Sequence, residues 1–174
     1  MERDGGAYVL RAEAQLQAGL RTAWLTVTDY EHLPQFVPGI ASARVLARVT
    51  QGGKERLLVE QSGEFRWFWF SQPVRVWLEV VHEPPRRVLA RSVRPSGVGN
   101  ERSTLRDFEG SYELEAIDAT RTRLVYRARL EPAQPLLPVL GTLAVRHTSS
   151  EQFRALVAEI ERRAAPGRAQ QASR

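Results

Sequence analysis

Pro135-Leu136-Leu137-Pro138-Val139-Leu140-Gly141-Thr142-Leu143-Ala144-Val145-Arg146-His147-Thr148-Ser149-Ser150-Glu151-Gln152-Phe153-Arg154-Ala155-Leu156-Val157-Ala158-Glu159-Ile160-Glu161-Arg162-Arg163 holds the longest helical period in the chain. Apolar residues at 136, 140, 143, 153, 156, 157 and 160 share one helix face. Pro138 suits a first helical turn, where its missing N–H costs no hydrogen bond. From there to Arg163 a helix extends about 39 Å at about 1.5 Å per residue. His147 and Ser150 interrupt the stripe in its middle. A helix of this length needs one broad apolar surface to lie on, so the chain before it is expected to supply a sheet. The polar break implies that part of the interface is not filled by packing alone.

The preceding chain does read as a sheet. Residues 1–5 are polar and glycine-bearing, and are expected to be flexible. From Tyr8 to Leu16 apolar and polar residues alternate, the pattern of a first strand. Leu20, Ala23, Trp24 and Val27 follow with helical spacing. A second short helix is expected between Asp29 and Gly39, closed by Pro38-Gly39. Strands are predicted at about 40–50 and 55–64, joined through Gln51-Gly52-Gly53-Lys54. The aromatic run Phe65–Phe70 is interrupted by Pro73, as at a bulge or edge, before alternation resumes over Val74–Val80. Glu83-Pro84-Pro85-Arg86 is a turn, 87–93 a strand and Arg94–Asn100 a loop. Residues 104–116 and 120–130 make a last hairpin around Asp118. The tail 164–174 is expected to be flexible.

Strands joined by short turns make an antiparallel sheet. The expected architecture is therefore α+β: a curved six- or seven-stranded sheet wrapped around the long C-terminal helix, with two short helices after the first strand. It occupies residues 6–163 as a single domain.

Composition narrows the function. The 174 residues fit one domain with a real core. The absence of cysteine excludes disulfides, thiolate metal sites and cysteine nucleophiles. No apolar run reaches the length of a membrane span. No basic start followed by an apolar run reads as a signal peptide, which points to the cytoplasm; an already processed exported chain would read the same. Net charge is +5, and of 25 Lys and Arg residues only Lys54 is lysine. Arginine suits bidentate contacts to phosphate or carboxylate, so the placement of the arginines matters.

One segment resembles a known family. Leu25-Thr26-Val27-Thr28-Asp29-Tyr30-Glu31-His32-Leu33-Pro34-Gln35-Phe36-Val37-Pro38-Gly39 is similar to the "LTDYxxLPxFVPG" segment of bacterial polyketide cyclase/dehydrase-like proteins. These belong to the START and birch-pollen-allergen-like (SRPBCC) helix-grip superfamily. Val59–Gly63, Glu83-Pro84-Pro85, Gly110–Leu114 and Thr122–Tyr126 match further, so the resemblance covers about residues 7–163. It implies the helix-grip fold and a hydrophobic cavity between sheet and long helix. Members range from aromatic-polyketide cyclases to lipid and quinone carriers and a ribosome-associated toxin.

The residues suggest where such a cavity would be touched. Tyr112 and Tyr126 lie on the apolar faces of the last hairpin, and a buried hydroxyl wants a partner. Gln61 alternates with Leu57 and Val59 and so points inward. Leu140, Leu143, His147 and Ser150 approach from the helix, and Trp69 is placed at a mouth. These eight side chains are the candidate ligand-binding set, for a lipophilic or aromatic molecule such as a lipid, a quinone or a polyketide-like chain. No residue is assigned as catalytic. A cyclase or dehydratase is the alternative, with Tyr126 or His147 moving protons. A ribosome- or protein-interaction module is a second. The three histidines are far apart without HExxH-type spacing, so no metal is expected. No cofactor is expected either, and a homodimer is compatible.

The last strand carries Arg121, Arg123, Arg127 and Arg129 on its outer face, a pattern that by itself resembles a nucleic-acid footprint. The strand before it carries Asp107, Glu109, Glu113 and Glu115. A hairpin pivoting on Asp118 would oppose Glu115 to Arg121, Glu113 to Arg123, Glu109 to Arg127 and Asp107 to Arg129. The stripe is then expected to be neutralised within the sheet, and no nucleic acid is expected as partner.

Overall fold

The computed structural model describes residues 2–67, 70–95, 103–134 and 138–171, with side chains at 3, 4, 65–67, 70, 72, 138–140 and 166–171 left undescribed. Eight strands form one curved antiparallel sheet in the order β1-β2-β8-β7-β6-β5-β4-β3. They are β1 (Glu2–Asp4), β2 (Ala7–Leu16), β3 (Ile40–Gln51), β4 (Lys54–Trp67), β5 (Phe70–Glu83), β6 (Arg87–Ser92), β7 (Leu105–Ala116) and β8 (Thr122–Pro132). After β2, the helix α1 (Leu20–Val27), a 3-10 turn (Tyr30–His32) and α2 (Leu33–Phe36) carry the chain to the far edge. The meander from β3 then returns strand by strand until β8 pairs with β2. The long helix α3 (Pro138–Gln171) packs against β2, β4, α1 and α2.

Seven strands match the expected sheet. The eighth, β1, lies where a flexible start was expected: Glu2 pairs with Val9 across a turn in which Gly5 takes φ +59°. A glycine reaches that conformation without a Cβ clash. α3 also continues beyond Arg163 to Gln171. Ala164, one turn beyond Ile160, still packs against the core, and Ala164 and Ala165 are strong helix formers, so the backbone winds on.

The core follows the alternation. Leu57 and Val59 of β4, Val76, Leu78 and Val80 of β5, Val88 of β6, Leu114 of β7 and Leu124 of β8 face the helix layer and are buried. Leu156 and Ile160 of α3 and Ala23 and Val27 of α1 close over them. Each fully buried branched side chain stabilises the fold by about 1.5–3 kcal/mol.

Of the bulge or edge expected at Pro73 there is no bulge: Pro73 sits in an unbroken β4–β5 ladder opposite Glu64. The β5–β6 ladder covers only Leu78–Glu83, so Pro73 lies where no β6 neighbour asks it for an N–H. The register shifts fall instead in the edge strand β3, at Ile40/Ser42 and Val45/Ala47.

The β7–β8 hairpin pivots one residue later than expected. Glu115 faces Arg123, Tyr112 faces Tyr126 and Glu109 faces Arg129. Asp118 is the cause. It opens the turn, and its Oδ1 accepts from the backbone N–H groups of Thr120 and Arg121, both at 2.8 Å. The opposed positions shift by two residues, an even step, so every side chain keeps its face. The outer arginines remain paired with carboxylates. Arg123 meets Glu13 (2.7 Å) and Glu115 (3.6 Å), Arg127 meets Glu113 (2.7 Å), Arg129 meets Asp107 (2.8 Å) and Arg121 meets Asp118 (2.7 Å). Of the four expected pairs only Asp107–Arg129 survives. Such exposed pairs are screened by solvent and add little to stability; their effect is to neutralise the stripe.

A charge cluster fastens α3 to the short helices. Glu159 accepts from Arg162 (2.6 Å) and Arg163 (2.7 Å), and Arg163 also reaches Asp29 (2.8 Å). The Arg163 guanidinium lies 5.3 Å from the centre of the Phe36 ring. The hydrogen bond from Arg162, and after it that from Arg163, holds the Glu159 carboxyl down at about 2 against the opposing effect of its burial. Its folded value is below the ordinary 4.5 of an unfolded chain, so its contribution is complete above about pH 4.5 and is lost as pH falls towards 2. Glu159→Gln is therefore expected to flatten the acid limb of stability in that window. Thermal midpoints recorded down a pH series check this; an unchanged acid limb would show that the cluster does not couple to folding.

Candidate functional site

Between α3 and the inner face of the sheet lies a cavity of ≈ 330 Å³. Its floor is Val76, Leu78 and Val80 of β5, Val88 and Ala90 of β6, and Tyr112 of β7. The turn and α2 supply Tyr30 and Leu33 at one end, beside Val27 of α1. The β4 segment Gln61-Ser62-Gly63-Glu64 forms a side wall. From α3 come Val145, Thr148, Ser149, Gln152 and Leu156. A mostly apolar hollow of this size with a few polar groups is the general form of a small-molecule site.

Gln61, Tyr112 and Tyr126 line this cavity, as their strand parity predicts. Leu143, His147 and Ser150 do not. Leu143 is 48% exposed, and His147 and Ser150 are exposed on the far side of α3. His147 Nε2 stands 3.3 Å from Glu151 Oε1, with both side chains in solvent. Leu140 lies on α3 with its side chain outside the described residues, and Trp69 lies outside them altogether. The polar middle of the helix face is real, but it consists of Thr148, Ser149 and Gln152. Stepping back from Ile160 and Leu156 by three and four gives Gln152, Ser149 and Val145. Starting instead from Leu143 rotates the face outward. Single exposed leucines are common, so one leucine does not set the phase of a helix.

The tyrosines give the cavity its chemistry. The rings of Tyr112 and Tyr126 stack with centres 4.8 Å apart, and Phe153 of α3 extends the stack at 6.3 Å from Tyr126. Neither hydroxyl makes a hydrogen bond to any described residue. Burial pushes the Tyr126 hydroxyl up to about 12. Burial, and then the neighbouring Tyr126 and Tyr30, push Tyr112 higher still. Both are neutral at physiological pH and available as donors. Gln152 is partly occupied, donating from Nε2 to the Pro38 carbonyl at 3.1 Å.

Tyr30 was not among the expected site residues. Its hydroxyl lies 2.7 Å from Nε2 of His82, which is 5% exposed. His82 Nδ1 lies 2.7 Å from Glu55 Oε2. The signal was present in the alternation: Val76, Leu78 and Val80 continue to His82, and Val59 and Leu57 continue back to Glu55.

Among the described residues no helix is long and apolar enough to cross a membrane. In sequence, no functionally curated protein matches the chain. Solved structures do match its fold. A START superfamily protein from Mycobacterium smegmatis superposes with TM-score 0.70 at 17% identity, over 88% of this chain and 97% of that one. The Zhui aromatase/cyclase from a Streptomyces species gives 0.70 at 16%, over 90% and 95%. Ara h 8.0201 gives 0.58 at 15%, over 89% and 98%. At these identities the likeness is one of fold. Residues 16–157 match the family described as polyketide cyclase / dehydrase and lipid transport, so sheet, short helices and most of the long helix fall within one match, and the chain belongs to that family.

Proposed function

We propose that the protein binds a lipophilic or aromatic small molecule in the cavity between the sheet and α3. The observation that carries this reading is the pair of tyrosine hydroxyls, Tyr112 and Tyr126, set in an apolar cavity without a partner among the described residues. Both residues are half-buried, so their hydroxyls face cavity space rather than packed core. A ligand oxygen placed between them would gain their hydrogen bonds, while the stacked rings of Tyr112 and Tyr126 would cover a flat apolar body. Gln61 supplies a further amide on the side wall.

Native mass spectrometry of the purified protein is expected to show a co-purifying lipophile, and a panel of lipids, quinones and hydroxyaromatics to raise its thermal midpoint. Absence of both would sink the proposal. Tyr112→Phe and Tyr126→Phe are expected to leave unfolding free energy within about 0.5 kcal/mol of wild type, because no hydrogen bond to a described residue is lost. Each should weaken an oxygen-bearing ligand about three- to tenfold, the worth of one hydrogen bond. Calorimetric titration beside denaturant unfolding separates the two effects. A cyclase- or dehydratase-type reaction in the same cavity is a second reading, supported by the family's description. Turnover of a polyketide-like substrate would be its test.

A further inference from the structure

One transverse row on the inner face of the sheet holds most of its polar chemistry. Glu55 pairs with His82, His82 with Val88, Val88 with Tyr112 and Tyr112 with Tyr126. Tyr30 joins the row from the turn before α2, through its hydroxyl on His82 Nε2. His82 is wedged between rings, edge-on to Trp24 at 5.5 Å and stacked on Tyr30 at 5.8 Å. Glu55 uses its two oxygens separately, Oε2 for His82 and Oε1 for Arg48 at 2.8 Å. The Arg48 side chain is 63% exposed, so the chain of contacts runs from solvent to the cavity wall.

Donor and acceptor rules give this chain a direction. A carboxylate only accepts, so a neutral His82 carries its proton on Nδ1 and offers a lone pair at Nε2. Tyr30 must then donate to it. A hydroxyl, an imidazole and a carboxylate in that order is the arrangement by which a histidine withdraws a proton from a hydroxyl. Here the hydroxyl belongs to a residue that lines the cavity. Arg48 places a guanidinium on the second Glu55 oxygen. From the remaining elements, β7 and β8 contribute neutral Tyr112 and Tyr126, α3 contributes neutral Thr148, Ser149 and Gln152, and α1 contributes the Trp24 ring.

We infer that Arg48, Glu55, His82 and Tyr30 form a proton-accepting site at the α1–α2 end of the cavity, and that it takes a phenol or enol. This rests on the cavity-binding reading above. The ligand O–H bond breaks as a new O–H bond forms on Tyr30. The original Tyr30 O–H breaks as Nε2–H forms on His82. The products are a bound oxyanion, neutral Tyr30 and an imidazolium beside Glu55, with no change in total charge and no further reactant. The hydroxyls of Tyr112 and Tyr126, without a partner among the described residues, are the donors available to the oxyanion. A ligand already ionised would have to enter an apolar cavity as an anion, at high desolvation cost. A phenol or enol enters neutral and ionises only beside the chain.

The test uses 4-nitrophenol and its non-ionisable counterpart 4-nitroanisole with the full-length protein. Equilibrium dialysis measures binding of each, and the phenolate absorption band gives the ionised fraction per bound molecule of nitrophenol. At a pH about one unit below the free probe's pKa, the ionised fraction is expected to rise from about a tenth for the free probe to about a half for the bound one, a tenfold change in the ionised-to-neutral ratio and a shift of about one unit. Tyr30→Phe and His82→Gln should each remove that excess, and Glu55→Gln should reduce it. If nitroanisole binds while bound nitrophenol stays neutral, or if Tyr30→Phe keeps the band, the proton-accepting site is overturned and the cavity reading stands. If neither probe binds, the cavity reading fails and this inference falls with it. Circular dichroism checks that each variant folds, and the wild-type comparison of the two probes decides by itself if one does not.

Discussion

Gly63→Ala is expected to lower the folding free energy by about 3 kcal/mol or more, seen as a fall of about 6–12 °C in thermal midpoint for a domain of this size. A Cβ at position 63 would stand 1.9 Å from the Gly39 carbonyl oxygen, 2.9 Å from its carbon and 3.0 Å from Ile40 Cα. All three are backbone atoms, so no rotamer change relieves the clash. Nor can the Gly39 carbonyl simply swing away. It accepts from the Glu64 N–H at 2.9 Å, and Gly39 itself holds φ +83°, where a side chain would be strained. The contact joins the end of the α2 segment to β4 beside the cavity wall, so its loss should loosen the site as well. Gly52→Ala is the control. Its φ is +60° but nothing lies within 4 Å of the added methyl, and only the conformational cost of about 1–2 kcal/mol remains. Equal midpoints for the two variants would show that the Gly39–Gly63 approach is not what holds this junction.

Ala90→Phe is expected to abolish ligand binding while leaving the protein folded. Ala90 lines the cavity from β6, between Val80 and Gly110 in the ladder. A phenyl group there projects into the ≈ 330 Å³ space that the ligand is proposed to occupy. Filling a pre-existing cavity commonly leaves stability unchanged or raises it by about 0.5–2 kcal/mol. Binding should fall at least about a hundredfold, a loss of about 2.7 kcal/mol or more, because apolar burial and the tyrosine contacts are lost together. Calorimetric titration with whichever lipophile binds wild type, beside thermal unfolding, reads both quantities. Undiminished binding in a folded Ala90→Phe protein would place the ligand elsewhere on the molecule.

Most of the sheet was legible because strand parity is local. Gln61, Tyr112 and Tyr126 follow from counting in twos along β4, β7 and β8. That parity survived the hairpin's shifted pivot, since a slip of two residues exchanges no faces. The charge pairs were more sensitive. Glu113 found Arg127 rather than Arg123 because the Asp118 side chain opens the turn and moves the pivot one residue later. The helix was harder. A period of 3.6 residues tolerates errors that a period of two does not, and one exposed leucine at 143 was enough to turn His147 and Ser150 inward on paper.

Sequence alone determined the α+β order, the antiparallel sheet and the single long helix. All of these arise from periodicity and turn chemistry within a few residues. Only the tertiary structure decided which helix residues meet the cavity, because that depends on how α3 is rotated against β2, β4 and the short helices. It alone joined Glu55 to His82 across 27 residues and Tyr30 to His82 across 52. Each of those side chains has an ordinary local setting in the sequence; their chemistry exists only when sheet curvature and the α1–α2 crossover bring them within hydrogen-bonding distance.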